Sequence, residues 1–289
     1  MHSHGRFQES ALAPHPLYDG RSRGYAHAPL VNHSSGSVHT GLSIDQLGPE
    51  GILPPHVHSY EESFYILSGQ AIVRIGDRGF RLGPGDYGAI KVGTPHAWRA
   101  AGARSVRWLQ MAAPQPKPAG QERDTFFLKD PSVPADASTP DWTHLDGALL
   151  GHFDVGQIPP GDEGRIVAGG LKGAFLKWLI DEKFGAAHHR LLFLEYLPGV
   201  SIGLHDHAYE EAYFILSGEV EATLDGRRYL AAAGDVLWTS VGCVHAIANA
   251  GREPVRWLET FSPQPPSEDV FRFMAEWEQR ARDLEGSVS

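Results

Sequence analysis

Eight residues of this chain stand in two sets with the types and spacing to hold a metal ion. His56, His58 and Glu62 are separated by two and four positions, and His96 follows 34 residues after Glu62. His205, His207, Glu211 and His245 repeat the arrangement at an offset of 149 residues. Side chains on a strand alternate between faces, so residues at even separation share one face. If one strand runs from His56 to Glu62, three donors point to the same side, and two hairpins return a fourth. Three imidazoles and a carboxylate suit Mn, Fe, Co, Ni, Cu or Zn without choosing among them. The expectation is one divalent transition metal per set. In an octahedral shell two positions stay open for water, substrate or dioxygen, and open positions mark a catalytic rather than a structural site. A lone His-x-His pair is more often two polar residues facing solvent. Here the whole pattern occurs twice at one offset, which argues for ligation.

The same face count places Phe64, Ile66 and Trp98 beside the first set and Tyr213, Ile215, Ile247 and Asn249 beside the second. Apolar walls with few polar groups describe a pocket for a small, largely apolar substrate. Core filling competes for Phe64, Ile66, Ile215 and Ile247, since a barrel interior must be packed anyway. Tyr213 and Asn249 are the better contacts, because buried polar tips need partners. Glu62, Glu211 and Tyr213 are the expected catalytic residues, the glutamates as ligand or proton acceptor. Trp98 and Ala100 make the first pocket drier and tighter, so the second site is the expected main one. His39 and His188, also 149 apart, are expected on strands before the motif, in a structural role on the barrel face or as partners of the metal site. Glu61 and Glu210 should face away from the ligands. Cys243, two residues before His245, reads as a small packed residue. His144, His152 and His189 carry no sharp signal.

The elements that position these residues are legible from the repeat. HVHSYEESFYILSGQAIVRIGDRGFRLGPGD from His56 aligns with HDHAYEEAYFILSGEVEATLDGRRYLAAAGD from His205, and the offset holds through Trp108 and Trp257 to the PQP runs at Pro114 and Pro263. Each copy reads as short aromatic and β-branched strands broken by glycine turns, a sandwich or barrel in an all-β chain. Residues 1–36 read as a polar leader in which His2, His4 and His15 belong to a solvated tail. The first domain is expected over 37–116, a connector over 117–160 with DTFFLKD packed on a domain, and the second domain over 161–265. From Ser267 the chain predicts a helix and tail over 266–289. Val270, Phe271, Phe273, Met274, Trp277, Ala281 and Leu284 form its apolar stripe, which docks on a barrel.

Composition excludes several classes. The chain has 289 residues, 42% hydrophobic, with 33 Gly and 21 Pro, enough for two ordinary domains with packed cores. Lys and Arg number 25 against 35 Asp and Glu, a net charge of −10. Without a basic run, nucleic acid is not a partner, because phosphate neutralisation supplies most of that affinity. No secretory-type segment or 18-residue apolar run is present, so neither export nor a membrane is expected. A single cysteine excludes an internal disulfide framework and suits the cytoplasm.

These motifs resemble those of the cupin superfamily, specifically a bicupin. The family's first motif is matched by His56, His58, Glu62 and Gly69, and again by Gly199, His205, His207, Glu211 and Gly218. Its second is matched by Gly85, Gly93 and His96, and by Gly234, Gly242, His245 and Asn249. The resemblance spans residues 37–114 and 186–263. It departs where the motif's proline is Lys91 or Ser240, where its terminal asparagine is Ala100, and where Gly51 sits one place off register. The resemblance implies two tandem double-stranded β-helix (jelly-roll) barrels with a metal inside each, and a homodimer associating through barrel edges. It also implies a dioxygenase acting on aromatic or diketone-like substrates. The alternatives are a hydrolase or lyase similar to the bicupin ureidoglycine aminohydrolases, which lack a full ligand set in the first barrel, and a non-enzymatic binding or seed-storage-type cupin, which tends to have lost ligands.

Overall fold

The computed structural model describes residues 1–264, apart from 119, 122, 131, 146–148, 161–165 and 168–170, together with 271–275. The β-branched and aromatic runs become antiparallel strands. In the first half one curled sheet runs in the order Leu150–His152, Asp86–Ile90, Glu61–Ser68, Val106–Ala113, Gly41–His58, His96–Ala100, Ala71–Ile75, Arg78–Leu82. Arg23–Val31 and Thr125–Phe127 add to Gly41–His58. That strand serves two faces. Its first part pairs with Val106–Ala113, and its last part pairs with His96–Ala100.

The second half spreads the same plan over two sheets. One runs His2–Arg6, Asp235–Thr239, Glu210–Ser217, Val255–Ser262, Arg190–Tyr196, Ala174–Ile180. The other runs Arg227–Ala232, Glu219–Leu224, His245–Asn249, His205–Asp206, Arg272–Phe273. The fold is all-β, with two double-stranded β-helix barrels. Two compact units contain them: Phe7–Gln157 with Leu179–Arg190, and Met1–Arg6 with Ile158–Trp178 and Leu191–Ser289.

Three segments differ from the sequence reading. Arg23–Val31, within the expected leader, is a strand paired with Gly41–His58. His2–Arg6 is not a solvated tail but an edge strand paired with Asp235–Thr239. A sheet edge presents unpaired N–H and C=O groups that any extended segment can satisfy, with no apolar pattern required. Arg272–Phe273, expected to be helical, pairs as a strand with His205–Asp206, and the Arg272 guanidinium meets the Asp206 carboxylate. The rest of the expected C-terminal helix lies outside the described residues, apart from Phe271, which is not helical, and Met274 and Ala275, which are.

Interior-facing positions fill each barrel. In the first, Trp98 stacks on Trp108 at 4.6 Å and meets the Phe64 edge at 4.8 Å. In the second, Tyr196 packs edge-on against Trp257 at 4.7 Å. Each fully buried side chain of this size contributes about 1.5–3 kcal/mol. Gly69 and Gly218 turn the chain at equivalent points with φ of 75° and 78°. A Cβ at Gly69 would meet the Ser105 carbonyl oxygen at 2.2 Å, so only glycine fits there.

Candidate metal centres

His56 and His58 lie at the end of Gly41–His58, and His96 opens the neighbouring strand directly opposite His56. The sequence reading put Glu62 on the same strand as His56. The chain instead bends at Ser59 and Tyr60, and Glu62 arrives from the next strand, Glu61–Ser68. Convergence survives because the bend turns the glutamate back toward the two histidines. The ligand atoms of His56, His58 and His96 lie within 4.8 Å of one another. The Glu62 carboxylate is 3.1 Å from His58 Nε2 and 3.6 Å from His96 Nε2. In the second barrel His205 stands opposite His245, and the Glu211 carboxylate is 2.9 Å from His207 Nε2 and 3.0 Å from His245 Nε2. All eight residues are at most 4% exposed.

Hydrogen bonds fix the imidazole tautomers. Nδ1 of His56, His96, His205, His207 and His245 each lies 2.6–3.0 Å from a backbone carbonyl, of Pro54, Thr94, Gly203, Tyr209 and Cys243 respectively. A carbonyl only accepts, so Nδ1 carries the proton and Nε2 presents a lone pair to the barrel interior. His58 Nδ1 meets the Thr125 hydroxyl at 2.9 Å. Nε2 of His58, His96, His207 and His245 is buried without an aligned hydrogen bond, although a carboxylate lies close to each. Buried nitrogens aimed past their neighbours at a common centre are what a cation satisfies. The donor sets fit one divalent transition metal in each barrel.

Electrostatics prepares the same state. Burial pushes the Glu62 carboxyl up, but the neighbouring His58 and His96 imidazoles outweigh it and hold Glu62 well below the usual carboxylate range. Glu211 is held low in the same way by His207 and His245, against its burial. Burial, followed by the neighbouring His96 and His58, lowers His56. Burial lowers His58. Burial, followed by His245, takes His205 down to about 4. His245 is raised: burial opposes its charge, but the Glu211 carboxylate beside it prevails. Ionised carboxylates and largely neutral imidazoles are the protonation states that metal binding requires.

The surroundings of the two sets differ. The Tyr213 hydroxyl donates to the Glu211 carboxylate, and the equivalent Phe64 has no such group. Tyr60 stacks on His58 at 4.3 Å and Tyr209 on His207 at 3.8 Å. Tyr18 meets His56 edge-on at 5.4 Å, and Phe271 and Phe273 lie 5.5 and 5.6 Å from His205. Sequence reading gave Phe271 and Phe273 only as part of a docking stripe and missed Tyr18, Tyr60 and Tyr209; for Tyr18 no local signal existed, since it comes from a distant segment. A cavity of about 350 Å³ in the first unit is lined by Tyr18, Tyr60 and Thr125, which touch the ligand histidines, and by His15, His27 and Gln110.

Several expected positions resolve differently. Phe64, Ile66 and Trp98 are fully buried in the first core, and Ile215 and Ile247 belong to the second. Asn249, expected beside the second set, is held by backbone groups. Its amide donates to the carbonyls of Tyr196 and Glu253 and accepts from Gly251 N–H, so its capacity is used in closing a strand end. His39 and His188 are not on strands but in the bends before them. His189, which carried no signal, is the buried one: its Nε2 lies 2.5 Å from the Ser63 hydroxyl and its Nδ1 2.9 Å from the Glu61 carboxylate. Glu61 also accepts from the N–H groups of Ala187 and His188, at 2.9 and 3.1 Å. It faces away from the ligands as expected, yet into a buried layer. The usable signal was an acid and a serine sharing the outward face of an otherwise apolar strand.

Two β-helix barrels, each with three histidines and one glutamate converging at equivalent points, define a two-domain metal-binding β-barrel protein. The Cupin domain family matches residues 44–111 and 192–261, and the chain belongs to the cupin superfamily, as a bicupin. An oxalate-binding protein of Thermotoga maritima is 42% identical over 62 residues, 21% of this chain and 51% of that protein, so the chain spans about half that relative's length. In fold it is similar to an oxalate decarboxylase of Lactobacillus farciminis in a formate complex (TM-score 0.63, 18% identity, 95% of this chain and 89% of that one). It is also similar to a Bacillus subtilis oxalate decarboxylase studied for its Mn(II) centres (TM-score 0.59, 20% identity, 88% and 76%). At these identities the likeness is one of fold. Among the described residues no helix is long and apolar enough to cross a membrane.

Proposed function

We propose that this bicupin is a metal-dependent dioxygenase whose second barrel acts on a small, largely apolar substrate bearing adjacent oxygens. The observation that carries this reading is the interior that holds Glu211. It is built from Tyr209, Tyr213, Ile215, Ile247 and Phe261. Among the described residues the one buried arginine or lysine, Arg190, pairs instead with Glu182 at 3.1 Å. With Glu211 ionised beside a divalent metal, a dianion would leave a net negative charge buried with no further cation, which is costly. Phenol, enol or diketone oxygens meet a metal while their ring or chain packs on apolar walls.

A metal bound there supplies Lewis-acid polarisation and the redox capacity to engage dioxygen. The chain's own residues do the rest. The carbonyls of Gly203, Tyr209 and Cys243 keep the three imidazoles oriented, and Glu211 accepts the proton of a substrate hydroxyl. Tyr213 orients that carboxylate through its own O–H, and Tyr209 shields His207 from water.

A lyase reading is favoured by one finding, the 42% identity to an oxalate-binding protein. Oxygen uptake and carbon dioxide release, measured in parallel on phenolics, diketones and oxalate, separate the two. Consumption of one dioxygen per substrate, with no anaerobic turnover, is the expected result. Carbon dioxide release from oxalate without oxygen consumption overturns the dioxygenase in favour of the lyase. The same reading places the enzyme in the cytoplasm, with Cys243 reduced, and as a homodimer, which sizing chromatography tests.

A further inference from the structure

Outside both barrel interiors, the second unit gathers a different set of donors. His2 Nδ1 lies 3.2 Å from the Asp225 carboxylate, and the ligand atoms of His2, Asp225 and Cys243 all fall within 4.8 Å of one another. Zinc bonds of 2.0–2.3 Å place tetrahedral donors about 3.5 Å apart, so closing this set on an ion takes small movements. Each donor is held by the fold. Edge-strand pairing sets His2 opposite Thr239, and its Nε2 lies 2.9 Å from the Tyr229 hydroxyl, which leaves Nδ1 toward Asp225. Asp225 sits in the Asp-Gly turn after Glu219–Leu224, with φ of 45° followed by 78° at Gly226. Its N–H donates to the Val244 carbonyl at 2.8 Å and its carboxylate accepts from Val244 N–H at 3.1 Å, so the turn is fastened beside Cys243. Cys243 is 2% exposed, whereas Asp225 opens to solvent and gives an ion a way in.

The barrel does not need this set. At the equivalent positions of the first copy stand Gly76 and Thr94, and that barrel closes the same hairpin and loop without them. We propose that His2, Asp225 and Cys243 form a third metal site, taking a borderline-soft divalent cation such as Zn²⁺ with water as the fourth ligand. Mixed thiolate, imidazole and carboxylate donors favour such ions over Mg²⁺ or Ca²⁺. On binding, the thiol proton passes to solvent and sulfur binds as thiolate. The ion also displaces the present partner of Asp225, the Met1 amino group at 3.2 Å, which keeps its bond to the Ser240 hydroxyl at 2.9 Å. The site is linked to the second barrel, because the Cys243 carbonyl receives His245 Nδ1 at 2.9 Å. This inference is independent of the reaction proposed above.

Cobalt titration of the full chain, starting at its own Met1, tests it. The chain has one cysteine and neither barrel set contains sulfur, so a thiolate-to-Co(II) charge-transfer band in the near ultraviolet reports only this site. The expected result, once both barrel sites are loaded, is such a band saturating at one further equivalent. It should be absent in Cys243→Ser and weakened at least tenfold in affinity in His2→Ala and Asp225→Asn, all three variants retaining two metal ions per chain. His2 is on an edge strand, so His2→Ala keeps the fold and the test stands if Cys243→Ser does not fold. No band at saturating Co²⁺, or a band of unchanged affinity in both His2→Ala and Asp225→Asn, overturns the site.

Discussion

At the residue scale, the two glutamates are the means of separating the barrels. Glu62 and Glu211 each lie within 3.6 Å of two ligand histidines, so removing one charge weakens one site and spares the other. Glu62→Gln and Glu211→Gln should each retain one metal ion fewer per chain than the parent, with affinity at the altered site down about 10–100-fold or more. Elemental analysis after dialysis reads this directly. Turnover should vanish in Glu211→Gln and persist in Glu62→Gln; the reverse pattern assigns the chemistry to the first barrel. Tyr213→Phe keeps the ring and removes the hydroxyl that reaches Glu211. Both metals should remain while kcat falls by about a hundredfold, the range for loss of a positioned proton-handling group.

At the element scale, the segment Leu179–Arg190 is held on the strand Glu61–Ser68 by a buried polar cluster. Burial pushes the Glu61 carboxyl up, but His189 and the two backbone N–H groups outweigh it and hold it low. His189→Ala leaves Glu61 buried without its basic partner and Ser63 without its acceptor. Breaking a buried pair in this way costs about 3–5 kcal/mol, which urea unfolding should show with metal content unchanged. The segment at His15 carries a pH dependence. Burial, followed by the charge of His27, lowers His15 to about 4. Between pH 6.5 and 4 the unfolded chain takes up a proton that the folded chain refuses, so His15 subtracts stability as pH falls through that window, by about 3 kcal/mol at most. His27 acts in the opposite sense: burial lowers it, but Asp45 raises it, so its contribution is present below pH 6.5 and lost as pH rises through its raised value. Melting curves from pH 7 to pH 4 should fall less steeply for His15→Gln than for the parent chain.

At the scale of the whole molecule, metal occupancy and folding are coupled. Buried ligand nitrogens without aligned partners weaken the metal-free chain, and an ion that binds only the folded state stabilises it by mass action, about 2.7 kcal/mol per site at a hundredfold excess over Kd. Chelation should lower the melting midpoint, and metal added back should restore it. In Glu211→Gln the gain on adding metal should be confined to the transition of the unit holding Glu62. Calorimetry with and without chelator checks this, and an unchanged midpoint counts against coupling.

The sequence by itself determined the duplication, the all-β class and the eight side chains that converge in the barrels. Each of these follows from short-range alternation and a constant offset of 149, which constrain the chain wherever it goes in space. It was silent on His189, Tyr18 and the strand His2–Arg6, whose roles exist only when segments far apart in sequence meet. It could not foresee the bonds of Asn249 for a related reason: alternation tells which face a side chain takes, but not which backbone carbonyls will be waiting there. Only the tertiary structure could join a polar leader, a hairpin turn and the lone cysteine into one cluster of donors. Hydrogen-bond geometry at sheet edges, rather than any residue pattern, decides such meetings.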